Sequence, residues 1–378
     1  MFVCPRCGNS NPKYIGFKND KPYCRFCISF KGEMVENLKT KSGSVVMDIK
    51  YPLSKEQKNI SEKVKQNYIN GIDTLIDAVC GAGKTELVYE VMAAALSNKK
   101  TVAFAVPRRD VVIELTPRIK SVFPSNSVVS VYGGHTSKLK ADIIILTTHQ
   151  LYRYPHDFDL IILDEIDAFP FKDNDLLIAM LNNASRGRII MMSATPSDGV
   201  LQEFSKEKHD ILHLNTRFHR HPLPVPKVYT RYGLLKYALL IKKLNEFKNA
   251  NKPTFIFCPT IDIAESVFAT VHKVIPNGNI THSKKDDRSQ IIEDFKNGKY
   301  LYLVTTAVLE RGVTIKNLQV IIYKADHELY DEHALIQISG RVGRKYDAPE
   351  GEVIFLVDKI TNAIRNTIAT IQSKNKSL

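Results

Sequence analysis

Nine short apolar runs constrain this chain more than any other feature of its sequence. Five come first: TLIDAV (74–79), TVAFAV (101–106), DIIIL (142–146), DLIILD (159–164) and RIIMMS (188–193). Four follow after a gap: PTFIFC (253–258), YLYLVT (300–305), QVIIY (319–323) and EVIFLV (352–357). The runs are continuous, without polar alternation, and helix-like segments separate them. Strands of that kind are buried on both faces, which means parallel sheets with crossover helices. The gap holds RFHRHPLPVPK (217–227), whose prolines disfavour both helix and sheet, so it reads as an extended linker. The expected fold class is therefore α/β, with two parallel-sheet lobes at 50–213 and 229–378 joined by a linker at 214–228. Residues 1–40 form a separate small module that ends in the polar stretch LKTKSGS (38–44).

The bulk composition allows this reading and narrows the partners. Hydrophobic residues make up 44% and charged residues 25% of the 378, as in a soluble globular protein. No apolar run approaches the length of a membrane span, and MFVCPRCGNS lacks the layout of a secretory signal. The expected location is the cytoplasm. The net charge of +13 favours a polyanionic partner, either nucleic acid or an anionic membrane surface.

Two motifs carry nucleotide chemistry. AVCGAGKTE (78–86) lies between an apolar strand and a helical segment, the context a phosphate-binding loop needs. Gly81, Ala82 and Gly83 would bring backbone amides close to phosphate, and the following helix dipole favours the same anion. Lys84 would reach the β- and γ-phosphates, and Thr85 would hold Mg²⁺. LIILDEID (160–167) sets acids at the end of a buried strand. Asp164 would bind Mg²⁺, and Glu165 would orient and deprotonate the attacking water.

Four of the six cysteines fall early, as Cys4-x2-Cys7 and Cys24-x2-Cys27. Two close thiolate pairs suit a closed tetrahedral Zn²⁺ site. Asn19-Asp20 between Phe17 and Tyr23 suggests a hairpin ribbon. So small a module has little core, so the metal would decide whether it folds, and the lobes would stand without it. Cys80 and Cys258 read as buried small residues.

These motifs join a longer series. MMSATP (191–196), TTAVLERGVTI (305–315) and QISGRVGR (337–344) resemble the Ser-Ala-Thr motif, motif V and motif VI of superfamily 2 helicases. With AVPRRDVV (105–112), the RFHRHPLPVPK connector, DHELYDEHALIQISGRVGR (326–344) and the early cysteines, the chain resembles the ComFA family of late-competence ATPases. The resemblance implies two tandem RecA-like lobes behind a small zinc ribbon. It implies an ATPase, with ATP, Mg²⁺ and Zn²⁺ as cofactors, that moves single-stranded DNA across the cytoplasmic membrane. Its implied place is peripheral, at the inner face of that membrane. The implied partners are a membrane DNA channel, ComFC and DprA, with a homo-oligomer as a further possibility.

Residue by residue, the resemblance implies that Gln57 contacts adenine. Gln337 would help position water, and Arg341 and Arg344 would bring positive charge to the γ-phosphate. Ser193 and Thr195 would couple the nucleotide and nucleic-acid sites. Arg108 and Arg109, Thr147 and Thr148, and Thr305 and Thr306 follow strands and would grip a phosphate backbone without reading its sequence. Arg217, His219, Arg220 and His221 of the connector would line the DNA path or simply solvate a hinge. The competing reading is a duplex-unwinding DNA helicase of replication restart or repair, resembling the PriA type. There, however, the cysteine cluster comes later in the chain.

Overall fold

The computed structural model describes residues 2–36, 38–40, 44–167, 170–171, 174–206, 208–306 and 315–376. Residues 307–314 of the motif V stretch lie outside the described residues. The chain divides into two compact units, Met1–Val79 with Gly83–Leu214, and Asn215–Leu378 with the tripeptide Cys80–Ala82.

The first unit opens with the ribbon. Strands β1 (Ile15–Lys18) and β2 (Lys21–Cys24) pair antiparallel. Asn19 and Asp20 both take positive φ, 48° and 56°, as a two-residue hairpin turn demands. A seven-stranded sheet follows: β3 (Asp73–Ala78), β4 (Val102–Val106), β5 (Val128–Val131), β6 (Ile143–Thr147), β7 (Phe158–Asp164), β8 (Ser185–Ser193) and β9 (His209–Leu214). Its order is β5-β6-β4-β7-β8-β3-β9, with every pair parallel. The five runs read from sequence are its five inner strands. The two edge strands, β5 and β9, carry mixed residues and lie outside those runs.

The second unit repeats the pattern. Its six parallel strands are β10 (Lys227–Thr230), β11 (Thr254–Phe257), β12 (Gly278–Thr281), β13 (Tyr302–Thr305), β14 (Gln319–Tyr323) and β15 (Val353–Val357). The order is β10-β15-β14-β11-β13-β12. Again the strands outside the apolar runs, β10 and β12, are the two edges. Among the described residues, no helix is long and apolar enough to cross a membrane.

The ribbon does not stand apart from the first lobe. Its four cysteines, Val35 and Leu38 belong to the same buried cluster as Leu151, Tyr154, Phe158 and Leu181. Phe30 packs against the Tyr152 ring at 5.3 Å. The Gly32 amide donates to the Tyr152 hydroxyl (3.0 Å) and the Val35 amide to the Arg153 carbonyl (2.6 Å), while Arg153 Nη1 donates to the Glu33 carbonyl (2.7 Å). A module too small to build a core therefore borrows one. The lobe in turn leaves part of its own core to be covered by the ribbon.

The consequence can be tested with Phe30→Ala. Truncating a packed aromatic at this seam should lower the melting temperature of the first unit by roughly 3–6 °C, since ~1–2 kcal/mol shifts a domain of this size by that much. Differential scanning calorimetry checks it. An unchanged transition would mean that the ribbon is not part of the lobe's cooperative unit.

Candidate nucleotide site and metal centre

Three adjacent strands, β7, β8 and β3, end at one edge of the first sheet and carry the chemistry. In an open parallel sheet this carboxyl edge is where ligands bind, because the loops leave the backbone ladder there. From β3 the chain enters the glycine-rich loop. Gly81 and Gly83 hold φ at 84° and 78°, which only glycine adopts without cost. Ala82 is buried, and Gly83 caps the helix Lys84–Leu87. Lys84 Nζ lies 3.4 Å from the Ala78 carbonyl oxygen, at the mouth of the loop. Thr85 follows, half-buried.

Gln57 is buried rather than exposed. Its Oε1 accepts from the Ser54 amide (2.9 Å), and its own amide donates to Ser54 Oγ (3.2 Å). This capping box starts the helix Lys55–Ile69 and fixes the Gln57 side chain. The Gln57 Nε2 then occupies the space a Cβ on Gly83 would take, 2.6 Å from that position. The capping glutamine thus leaves room only for a glycine at position 83.

Asp164 closes β7, and its Oδ1 accepts from the Glu165 amide (2.9 Å). Burial pushes its carboxyl up to about 6, against the opposing charge of Lys84 and with that of Glu165. Glu165 itself sits in the left-handed region at φ 59°, a strained conformation for a non-glycine residue of the kind that clusters at functional sites. Sequence reading passed over Asp167, although it is the third acid of the DEID run. Ser193 Oγ donates to Asp167 Oδ1 (2.8 Å) and Thr195 Oγ1 to Asp167 Oδ2 (3.1 Å), while the Thr195 amide donates to Ser193 Oγ (2.9 Å). The Ser-Ala-Thr turn is thereby tied to the loop that carries Glu165.

The remaining residues fall into two groups. Arg108 and Arg109 follow β4; Thr147 ends β6 and Thr148 follows it. These strands are neighbours, with Val106 opposite Thr147. The Arg109 guanidinium lies 5.1 Å from the Tyr132 ring centre, whereas Thr147 and Thr148 are buried. Thr148 Oγ1 has no hydrogen-bond partner among the described residues. In the second unit, Thr305 and Thr306 are buried. Gln337 and Arg341 are also buried, and Arg344 Nε donates to the Gly340 carbonyl (2.8 Å). In the connector, Arg217 and His219 are neither solvated nor free to line a path: both are buried, with backbone carbonyls as partners.

The four early cysteines converge. Their Sγ atoms all lie within 4.8 Å of one another, with Cys4 to Cys27 at 3.4 Å and Cys7 to Cys24 at 3.8 Å. A tetrahedral zinc–thiolate site with bonds of about 2.3 Å has sulfur–sulfur edges of about 3.8 Å, so the set fits Zn²⁺. Hydrogen bonds from Cys27 and then Cys7 pull the Cys4 thiol far down, and the reciprocal contacts push Cys27 far up. Ionising all four requires a cation among them. Cys80 and Cys258 are buried, and burial raises the Cys258 thiol.

Comparison with known proteins agrees with this geometry. Residues 56–204 match the DEAD/DEAH box helicase family, and residues 235–346 match the helicase conserved C-terminal domain. The chain is 31% identical to the competence protein ComFA of Bacillus subtilis, over 94% of this chain and 81% of that protein. It is 34% identical to the competence protein ComFA of Streptococcus pneumoniae, over 83% of this chain and 76% of that one. Among solved structures, S. cerevisiae Dbp5 bound to RNA and ADP BeF3 superposes with a TM-score of 0.63 at 16% identity, covering 86% of this chain and 92% of that chain. The architecture is accordingly two RecA-like parallel-sheet lobes.

Two outcomes follow from this geometry. The purified chain should carry one zinc per molecule by elemental analysis, and chelation should lower the melting temperature of the first unit, not only unfold the ribbon. Iron, or no metal, would refute the assignment. The second concerns Asp164, whose folded-state carboxyl is raised from 3.8 to about 6. Such a group costs the folded state nothing below pH 3.8 and progressively more as pH rises through 6. Asp164→Asn removes that cost. The variant should melt above the unsubstituted protein at pH 7.5, and the gap should close towards pH 4. A gap that grows on acidification would show the opposite sign.

Proposed function

This chain belongs to the ComFA family of competence proteins and is an ATP-hydrolysing enzyme of the helicase type, and we propose that it drives single-stranded DNA across the cytoplasmic membrane during natural transformation. The observation that carries this reading is the likeness to two ComFA proteins along most of the chain, with Lys84, Asp164, Glu165, Arg341 and Arg344 all present. A catalytically dead scaffold would have no need to keep that set.

In this reading the amides of Gly81, Ala82 and Gly83 cradle the triphosphate, and Lys84 neutralises its β- and γ-oxygens. Thr85 and Asp164 hold Mg²⁺, and Gln57 contacts the adenine. Glu165 takes the proton of the attacking water, and its strained backbone is consistent with a residue held for that task. Gln337 positions that water, and Arg341 and Arg344 meet the charge that develops on the γ-phosphoryl group. Product release reverses the arrangement.

Ser193 and Thr195 report this cycle to the nucleic-acid site through Asp167, whose loop also carries Glu165. Arg108, Arg109, Thr147, Thr148, Thr305 and Thr306 grip the sugar–phosphate backbone. Cys4, Cys7, Cys24 and Cys27 hold a structural Zn²⁺. The enzyme works peripherally at the cytoplasmic face of the membrane, with a DNA channel, ComFC and DprA as partners and self-association as a further property.

Single-stranded DNA should stimulate ATP turnover more than blunt duplex or RNA does. The stimulation should depend little on base sequence and fall steeply with salt, with a log–log slope of roughly −0.7 per phosphate contact. Glu165→Gln should keep ATP affinity while turnover drops by about 10²-fold or more, and Lys84→Ala should abolish turnover with the fold intact. Robust ATP-dependent displacement of a tailed duplex would point instead to a repair or restart helicase. A response to RNA alone would sink the DNA reading.

A further inference from the structure

Of the connector residues that would line a nucleic-acid path or solvate a hinge, Arg217 and His219 are buried, while Phe218 and Arg220 beside them are exposed. Arg217 is 2% exposed and ranks among the largest fully buried side chains. Its Nη2 donates to the Val342 carbonyl at 2.6 Å. His219 Nε2 lies 2.8 Å from the Gly343 carbonyl, and His219 Nδ1 accepts from the His221 amide at 3.1 Å. This fixes the tautomer, with Nε2 carrying the proton and donating. Burial lowers the His219 pKa, so the ring serves as a neutral strut.

Val342 and Gly343 are the two residues between Arg341 and Arg344. The connector therefore holds the turn that sets the spacing and direction of the arginine pair. The turn has little freedom otherwise. Gly343 sits at φ 67°, and a Cβ there would collide with the Pro349 carbonyl oxygen. Arg344 is tied back to the Gly340 carbonyl.

A strut does not explain a charge. The Arg217 Nε also donates to the Cys80 carbonyl at 3.2 Å, yet two carbonyls carry only partial charge, and burying a guanidinium costs several kcal/mol unless an anion matches it. No carboxylate among the described residues forms an ion pair with Arg217. Its Nη1 is buried without a hydrogen-bond partner. Burial and the neighbouring charge of Arg344 pull it down to about 10. Two adjacent guanidiniums, one with an open N–H and no counter-ion, form an arrangement that a polyanionic group would relieve.

We infer that Arg217 is a third phosphate-directed arginine of this enzyme: it holds the Arg341–Arg344 turn through the Val342 carbonyl and adds its own charge to the site that takes the γ-phosphate. The inference rests on the reading of Arg341 and Arg344 given above. Arg217→Gln removes the cation while leaving two amide N–H donors of the kind that the Cys80 and Val342 carbonyls accept. Removing an unmatched buried charge should leave the melting temperature of the nucleotide-free protein equal or higher. Affinity for a fluorescent ADP should stay within about twofold. Turnover, and the affinity for ADP–aluminium fluoride, should fall roughly 10²-fold, as for other groups that meet transition-state charge.

Arg217→Lys should recover part of both. A lower melting temperature with ADP and ADP–aluminium fluoride affinities falling together would make Arg217 a structural strut and overturn the inference. Unchanged turnover in Arg217→Gln would overturn it as well. Arg344→Ala run in parallel separates the two layers. If Arg344→Ala abolishes turnover and Arg217→Gln does not, only the role of Arg217 fails. If neither variant affects turnover, the reading of the arginine pair fails with it.

Discussion

Parallel pairing of strands buried on both faces is the constraint from which the rest follows. Such strands satisfy their backbone only within the sheet, so every polar function is pushed to the ends. All strands of a sheet run one way, so their carboxyl ends meet at one edge. The order β7-β8-β3 then makes neighbours of three sequence-distant turns: the acids after β7, the Ser-Ala-Thr turn after β8 and the glycine-rich loop after β3. Register completes the arrangement, with Ser193 opposite Asp77 and Met192 opposite Asp164. None of these residues needs to be near another in sequence, because the ladder brings them together.

The same edge carries local strain and buried polarity. Glu165 is held at positive φ, the Asp164 carboxyl is raised by burial, and Thr148 buries a hydroxyl without a partner. In the second unit Arg217 buries an unmatched guanidinium. Each feature is a local cost that the surrounding fold must offset. The dense apolar layers behind the edge tolerate them, and functional sites are where local rules are expected to fail.

The ribbon shows a different dependence. Four thiolates assemble a cation site that fits zinc, but the module's remaining apolar groups are spent on the lobe: Phe30 on Tyr152, and Val35 and Leu38 in the cluster that holds Tyr154 and Phe158. Metal and lobe thus stabilise the same small segment from two sides. The segment contacted, residues 149–153, follows directly on Thr147 and Thr148.

What the sequence determined by itself was whatever short-range pattern can encode. Continuous apolar runs marked the nine inner strands, because burial on both faces leaves no polar position. The four edge strands, VVSV, HDILHL, KVYT and GNIT, escaped because an edge tolerates polar side chains. Local spacing likewise disclosed the phosphate loop, the acidic strand end, the paired cysteines and the Asn-Asp hairpin, each a feature of a few adjacent residues. Tertiary structure alone decided the rest. It set Gln57 against Gly83, joined Asp167 to Ser193 and Thr195, and packed the ribbon into the first core. It also turned Arg217 and His219 inward onto the carbonyls of Val342 and Gly343. Each of these is a pairing between residues 26 or more positions apart, as with Asp167 and Ser193. One chain's pattern records how much a residue must be buried, but not which distant group will bury it.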